Sequence, residues 1–139
     1  MKKITADMLE DACEEQLDEF TQRFPNGMTF KSEADAIAQC TAVAGVFEWG
    51  CAARNLLDYP EWKTFRVITS EARRVYREAI APAVKAYDKA IVKLYKSSNE
   101  AKAQVHKAYD EAMSQEWAIY KEESARTFAV LFYQQGDQS

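Results

Sequence analysis

Apolar residues between positions 60 and 133 recur on an 11-residue grid. Tyr76, Tyr87, Tyr109 and Tyr120 share one row, with Phe65 one period earlier and Leu131 one period later. Ser98 breaks that row. Eleven residues make almost three turns at about 3.67 residues per turn, so the row runs nearly straight along one side of an α-helix. Neighbouring rows sort in the same way. Three residues after the tyrosines stand Ala79, Ala90, Ala101 and Ala112; four after stand Ile80, Ile91, Lys102 and Met113. Seven after stand Ala83, Leu94, Val105 and Glu116, eight after stand Val84, Tyr95, His106 and Trp117, and ten after stand Ala86, Ser97, Ala108 and Ile119. On a helical wheel these rows make one apolar arc of roughly 160°, wider than the seam of a two-stranded coiled coil. The remaining rows read as solvated: Arg77, Asp88 and Asp110; Glu78, Lys89, Glu100 and Glu111; Arg74, Lys85, Lys96 and Lys107.

Two places interrupt the periodic segment. Pro82 lies on its polar side, where a missing backbone donor bends a helix around its apolar face. At Ser97-Ser98-Asn99-Glu100, Ser97 and Glu100 have capping-box spacing, so a new helix could start there. Tyr87 and Tyr109 are two whole periods apart, so the phase survives the interruption. That favours one bent or hinged rod over two antiparallel helices at 60–96 and 100–133, although a duplicated repeat would keep phase across a true turn as well.

The first sixty residues predict three short helices. Thr5 caps a helix with Met8, Leu9, Ala12, Cys13, Leu17, Phe20 and Phe24 on its apolar side, and Pro25-Asn26-Gly27 ends it. Ser32 and Asp35 have an acidic variant of the capping-box spacing before Ala36, Ile37, Cys40 and Val43, and Gly45 stands where a left-handed C-terminal cap belongs. Phe47, Trp49, Ala52, Ala53, Leu56 and Leu57 make the third, with Gly50 as a weak point. Asp58-Tyr59-Pro60 then opens the long segment, with proline in its favoured first turn. The expected fold is all-α. An acidic helical cap spans 1–59, a long repeat helix spans 60–133 with a possible break at 97–99, and 134–139 form a flexible tail. The helices pack as a bundle or coiled coil.

Charge changes the picture more than composition does. Residues 1–62 hold five Lys/Arg against twelve Asp/Glu, whereas residues 63–126 hold thirteen against nine. The asymmetry steers the cap onto its own rod or towards a basic partner, the first being the simpler reading. Glu10, Asp11, Glu14, Glu15, Asp18 and Glu19 recur at helical spacing. A solvated acidic face is their default reading, and mimicry of a nucleic-acid backbone is the sharper one.

Chemistry has little to rest on. His106 is the single histidine and has no second imidazole or cysteine at ligand spacing, so no metal site is expected. Glycine-rich phosphate loops, a GxSxG elbow and a catalytic cysteine context are all missing. No cofactor, small-molecule substrate or enzymatic activity is expected. Cys13, Cys40 and Cys51 lack CxxC spacing and read as buried thiols. The line Arg74, Lys85, Lys96, Lys107 is interrupted by acids, and a pI near 5.1 opposes non-specific nucleic-acid binding. With no apolar stretch of about 20 residues and no signal-peptide core after Met-Lys-Lys, a soluble cytoplasmic protein is expected.

The segment from Phe47 to Leu57, then Glu78-Ala79-Ile80-Ala81-Pro82-Ala83-Val84-Lys85-Ala86-Tyr87-Asp88 and its echo from Glu100 to Asp110, resembles small helical proteins of phages and mobile elements. Those proteins carry tandem E-A-x-A-P-A-x-x-A-Y-x type units. The likeness spans roughly residues 15–125; one unit keeps its proline, and the third has serine at position 98 in place of tyrosine. The resemblance implies no catalytic residue and no ligand. It implies an accessory protein that binds and blocks a host factor, in the manner of anti-CRISPR or DNA-mimic proteins, and so works in the host cytoplasm.

The leading expectation is therefore a non-enzymatic protein–protein interaction protein. Glu14, Glu15, Asp18 and Glu19 would give electrostatic recognition of a host protein or complex, with Tyr95, Tyr109 and Trp117 as aromatic anchors. The first alternative is a homo-oligomeric structural or assembly protein, self-associating through Tyr87, Ala90, Ala101, Val105 and Ala112. A homodimer is compatible with both. The second alternative is a helical nucleic-acid binder using the Lys/Arg line.

Overall fold

A computed structural model describes residues 1–9, 14–94 and 99–136. The fold is all-α in its main elements. The helices are α1 (Glu14–Arg23), α2 (Glu33–Ala42), α3 (Trp49–Leu56), α4 (Tyr59–Lys93) and α5 (Asn99–Gln134). Two short strands, β1 (Lys2–Ile4) and β2 (Met28–Phe30), pair antiparallel, with Lys3 opposite Thr29. The sequence reading expected no strand. Three-residue strands are too short to display a period-two alternation, although the buried, exposed, buried order of Met28, Thr29 and Phe30 follows one.

Local signals place most N-terminal boundaries. Ser32 accepts from the Asp35 amide at 3.0 Å, and the Asp35 carboxylate accepts from the Lys31 amide at 2.8 Å, so α2 starts as expected. That backbone donor, helped by Gln39, holds the Asp35 carboxyl below the usual carboxylate range. Gly27 turns the chain into β2 at φ +80, where a β-carbon would meet the Ile4 carbonyl oxygen at 2.5 Å. Only glycine fits there. Pro60 lies in the first turn of α4, as expected. Two readings need correction. Thr5 precedes a 3₁₀ turn at Ala6–Leu9 rather than an α-helix, and α1 covers Glu14–Arg23, with residues 10–13 outside the description. Gly45 is not left-handed, and α2 closes instead through the Val43 and Ala44 amides on Cys40 and Thr41.

The expectation of one rod through Ser97 is also corrected. Helix α4 ends at Lys93, α5 starts at Asn99, and their tyrosine rows face each other antiparallel. Tyr76 packs on Trp117 and Tyr120, and Tyr87 packs on His106 and Tyr109. A tyrosine row in phase on both arms serves a hairpin as well as a rod, because each arm then presents one apolar row to the other.

The chain divides into two compact units, Met1–Ser70 with Lys121–Ser139, and Glu71–Tyr120. In the first, α5 is central: Ser124, Ala125, Thr127, Phe128, Ala129 and Phe132 are buried around most of its circumference. Trp49 packs on Phe128 at 5.5 Å, and Phe30 meets Phe132 edge-on at 6.0 Å. Phe20, Phe24 and Phe47 form an aromatic cluster beside Trp49, whose Nε1 donates to the Ala44 carbonyl at 2.9 Å. Lys2 donates to the Phe132 and Gln135 carbonyls, giving the C-terminus of α5 a cation.

The second unit is built differently. Among its described residues none is buried. Ala72, Tyr76, Ile80, Ala83, Tyr87, Ala90, Ile91, Val105, Tyr109, Ala112, Met113 and Tyr120 are half-buried, the state of a seam between two helices with no third layer.

Candidate functional site

No group of three or more His, Cys, Asp or Glu that could hold a metal exists among the described residues. An apolar cavity of about 40 Å³ lies beside Leu9, Phe20, Met28, Phe47, Trp49 and Cys51. That is far below the roughly 150 Å³ that holds a benzene-sized guest. Burial pushes the Cys40 thiol up to about 12, which leaves it without nucleophilic thiolate. His106 is exposed on the hairpin, its Nδ1 3.1 Å from the Tyr87 hydroxyl.

Of the acidic row, Glu10 and Asp11 lie outside the described residues and the other four stand on α1. Glu14, Glu15 and Asp18 are exposed, whereas Glu19 is half-buried and pairs with Arg23 at 2.5 Å. Of the aromatic candidates, Tyr109 packs against Tyr87 with ring centroids 4.5 Å apart and planes tilted by 37°, so it is engaged within the chain. Trp117 remains 44% exposed while its ring leans on Tyr76 and Tyr120. Tyr95 lies outside the described residues. Tyr87, Ala90, Ala101, Val105 and Ala112, the candidates for self-association, are all half-buried in the hairpin.

The basic line does not form a continuous track. Arg74 is held by Glu71 and Glu78, one turn away on either side, and Lys96 lies outside the described residues. Arg73 instead lies over the Tyr120 ring at 5.7 Å.

Sequence reasoning missed two features. Lys121 continues the polar row of Arg77, Asp88 and Asp110, yet it is 7% exposed. Its ammonium donates to the Phe47 carbonyl and lies 3.9 Å from the Glu48 carboxylate. Desolvation lowers its pKa and Glu48 partly opposes that. No sequence signal marks it, because its burial depends on which segment packs over that row. The second is the exposed apolar set on the hairpin: Val75 at 51%, Val92 at 76% and Ile119 at 59%. Val75 and Ile119 share the row ten residues after the tyrosines, with Ala86 and Ala108, which are also exposed. The 160° arc contained this row; the fold-back determines that it stays uncovered within the chain.

No family model matches this chain, and neither do the curated proteins or the solved structures compared with it. No helix among the described residues is long and apolar enough to cross a membrane.

Proposed function

We propose that this protein is non-enzymatic and acts by binding other proteins. The observation that carries the reading is the hairpin of residues 71–120. Its described residues include none that is buried, and Val75, Val92, Trp117 and Ile119 stay exposed on it. Val75 and Ile119 share one flank of the hairpin, and large apolar side chains grouped on a surface mark interaction sites. In this reading the 11-residue recurrence holds one row for the seam and keeps a second apolar row outward for docking.

The direction of binding comes from α1. Glu14, Glu15 and Asp18 offer carboxylates at helical spacing to a basic or nucleic-acid-binding surface. Together with the phage-type resemblance, this supports an inhibitor of a host defence or nucleic-acid-processing complex acting in the host cytoplasm. Affinity capture of the tagged protein from nuclease-treated host lysate tests it, with the triple variant E14K/E15K/D18K as control. The expected result is one stoichiometric host protein with the wild type and none with the variant, at unchanged helicity. Equal capture by both would remove the electrostatic role of α1.

Homo-oligomeric assembly is the second reading. The charge order along α4 favours it.

A further inference from the structure

The exposed flank of the hairpin has an order of charges that matches itself in reverse. Along α4 it begins with Glu71, Val75 and Glu78 and ends with Lys89 and Lys93; Ala79, Pro82 and Ala86 lie between, and all eight are exposed. An antiparallel helix pair has a local two-fold axis perpendicular to its plane. The flank one step back from each tyrosine row therefore comes to the same side of the hairpin on both arms. On α5 that side carries Gln104, Ala108, Gln115 and Ile119, with Glu100 and Glu111 in the row that Glu78 and Lys89 occupy on α4, all exposed. The result is a flat, small-residue surface whose two large apolar side chains are Val75 and Ile119.

Charge complementarity names its occupant. Turned end for end about a point between Pro82 and Ala83, α4 brings its acids near its bases: Ala79 falls on Ala86 and Val75 on Ala90, while Glu71 falls one residue from Lys93 and Glu78 two residues from Lys89, within reach of their long side chains. Lys89 and Lys93 have no ion-pair partner among the described residues of the single chain. Glu71 and Glu78 both lean on Arg74, in pairs that are exposed and therefore weak and exchangeable. Helix α5 lacks this antisymmetry, because its flanking row holds Glu100 and Glu111 and no lysine or arginine. Its self-pairing would set acid against acid, so α4 fixes the register.

We propose that the Glu71–Lys93 stretch of α4 docks antiparallel on the same stretch of a second copy, pivoting near Pro82, with Ala79 against Ala86 and the Glu71 and Glu78 carboxylates against Lys93 and Lys89. The alanines let the backbones approach closely, and the α4–α4 contact covers Val75. The interface is isologous, as a two-fold dimer requires. This rests on the reading of the hairpin as an interaction element and names its partner.

Sedimentation velocity on the full chain tests it, using K89E/K93E, which makes the flank acidic, and E71K/E78K, which makes it basic. All four positions are exposed, so each variant keeps its helicity. The wild type sediments as a dimer at about 100 µM, a range suited to an interface of moderate size. Each variant alone dissociates at least about tenfold more readily. An equimolar mixture of the two forms a heterodimer, because every acid again meets a base, and A79R is monomeric in any mixture. A wild type that is monomeric, a dimer indifferent to both charge swaps, or a mixture that stays monomeric would each overturn the proposal. If that monomer still captured a host protein lost with E14K/E15K/D18K, self-docking would fall while the interaction reading stood.

Discussion

Gln135 shows how one side chain can hold two distant segments together. It is 7% exposed, its Oε1 accepts from the Asp58 amide at 2.9 Å, and its Nε2 donates to the Leu56 carbonyl at 2.8 Å. Those two backbone groups bracket the connection from α3 to α4, where the chain has no helix to satisfy them. Gln135→Ala leaves one donor and one acceptor unpaired in a site that water barely reaches. Each such group costs about 1–3 kcal/mol, so the expected loss is roughly 2–4 kcal/mol. Urea titration followed by tryptophan fluorescence should show a lower midpoint at an unchanged slope. A loss below about 0.5 kcal/mol would mean that water reaches both groups, at the size of a change to an ordinary surface residue. Ser32 and Gly27 also act singly, but through the backbone: one satisfies an orphan amide of α2 and the other occupies a φ of +80 beside the Ile4 carbonyl.

Helices α4 and α5 each pass through two environments, and the difference sets their local stability. From Lys121 to Gln135, α5 is covered on most sides, with Ala125, Phe128 and Ala129 at 0% exposure. From Glu71 to Lys93 and from Asn99 to Tyr120, the arms share only a half-buried seam. A long helix held along one stripe opens more easily than one surrounded by core. Native-state hydrogen exchange at dilute protein should therefore show amides of residues 74–92 and 101–118 exchanging through partial opening, and those of 124–132 only near global unfolding. Uniform protection along α5 would contradict this. The same contrast explains what the sequence made legible. Ser32 with Asp35, Gly27 and Pro60 marked element ends because capping and turn chemistry is local. The tyrosine row marked the seam because a helical period is local too. The reversal of direction between α4 and α5 left no such mark, since the phase between them fits a rod and a hairpin equally. Lys121 was hidden for a related reason: its row is polar in the arm and covered in the first unit. The exposure of Glu14, Glu15 and Asp18 was legible from their spacing, whereas the fate of the apolar arc depended on knowing which helix covers which row.

At the scale of the whole molecule, the core closes the beginning of the chain onto its end. Phe30 packs on Phe132, Trp49 on Phe128, and Lys2 reaches the last carbonyls of α5. Helices α1 to α3 therefore lack a complete core without residues 121–135, which supply Ala125, Phe128, Ala129 and Phe132. None of the described residues of 71–120 belongs to that buried cluster. Two deletions should then behave oppositely. Ending the chain at Tyr120 removes four buried core residues, each large one worth about 2–4 kcal/mol, against a total stability of about 5–15 kcal/mol for a domain. The shortened chain should lose its near-ultraviolet aromatic dichroism and its cooperative urea transition. Replacing residues 71–120 by a short Gly/Ser loop between Ser70 and Lys121 leaves every member of the buried cluster in place. The cost of closing such a loop grows only slowly with its length. That variant should keep both the aromatic dichroism and a cooperative transition, although it is the smaller protein. If it unfolds while the Tyr120 truncation survives, the hairpin rather than the closure of the two chain ends holds the fold together.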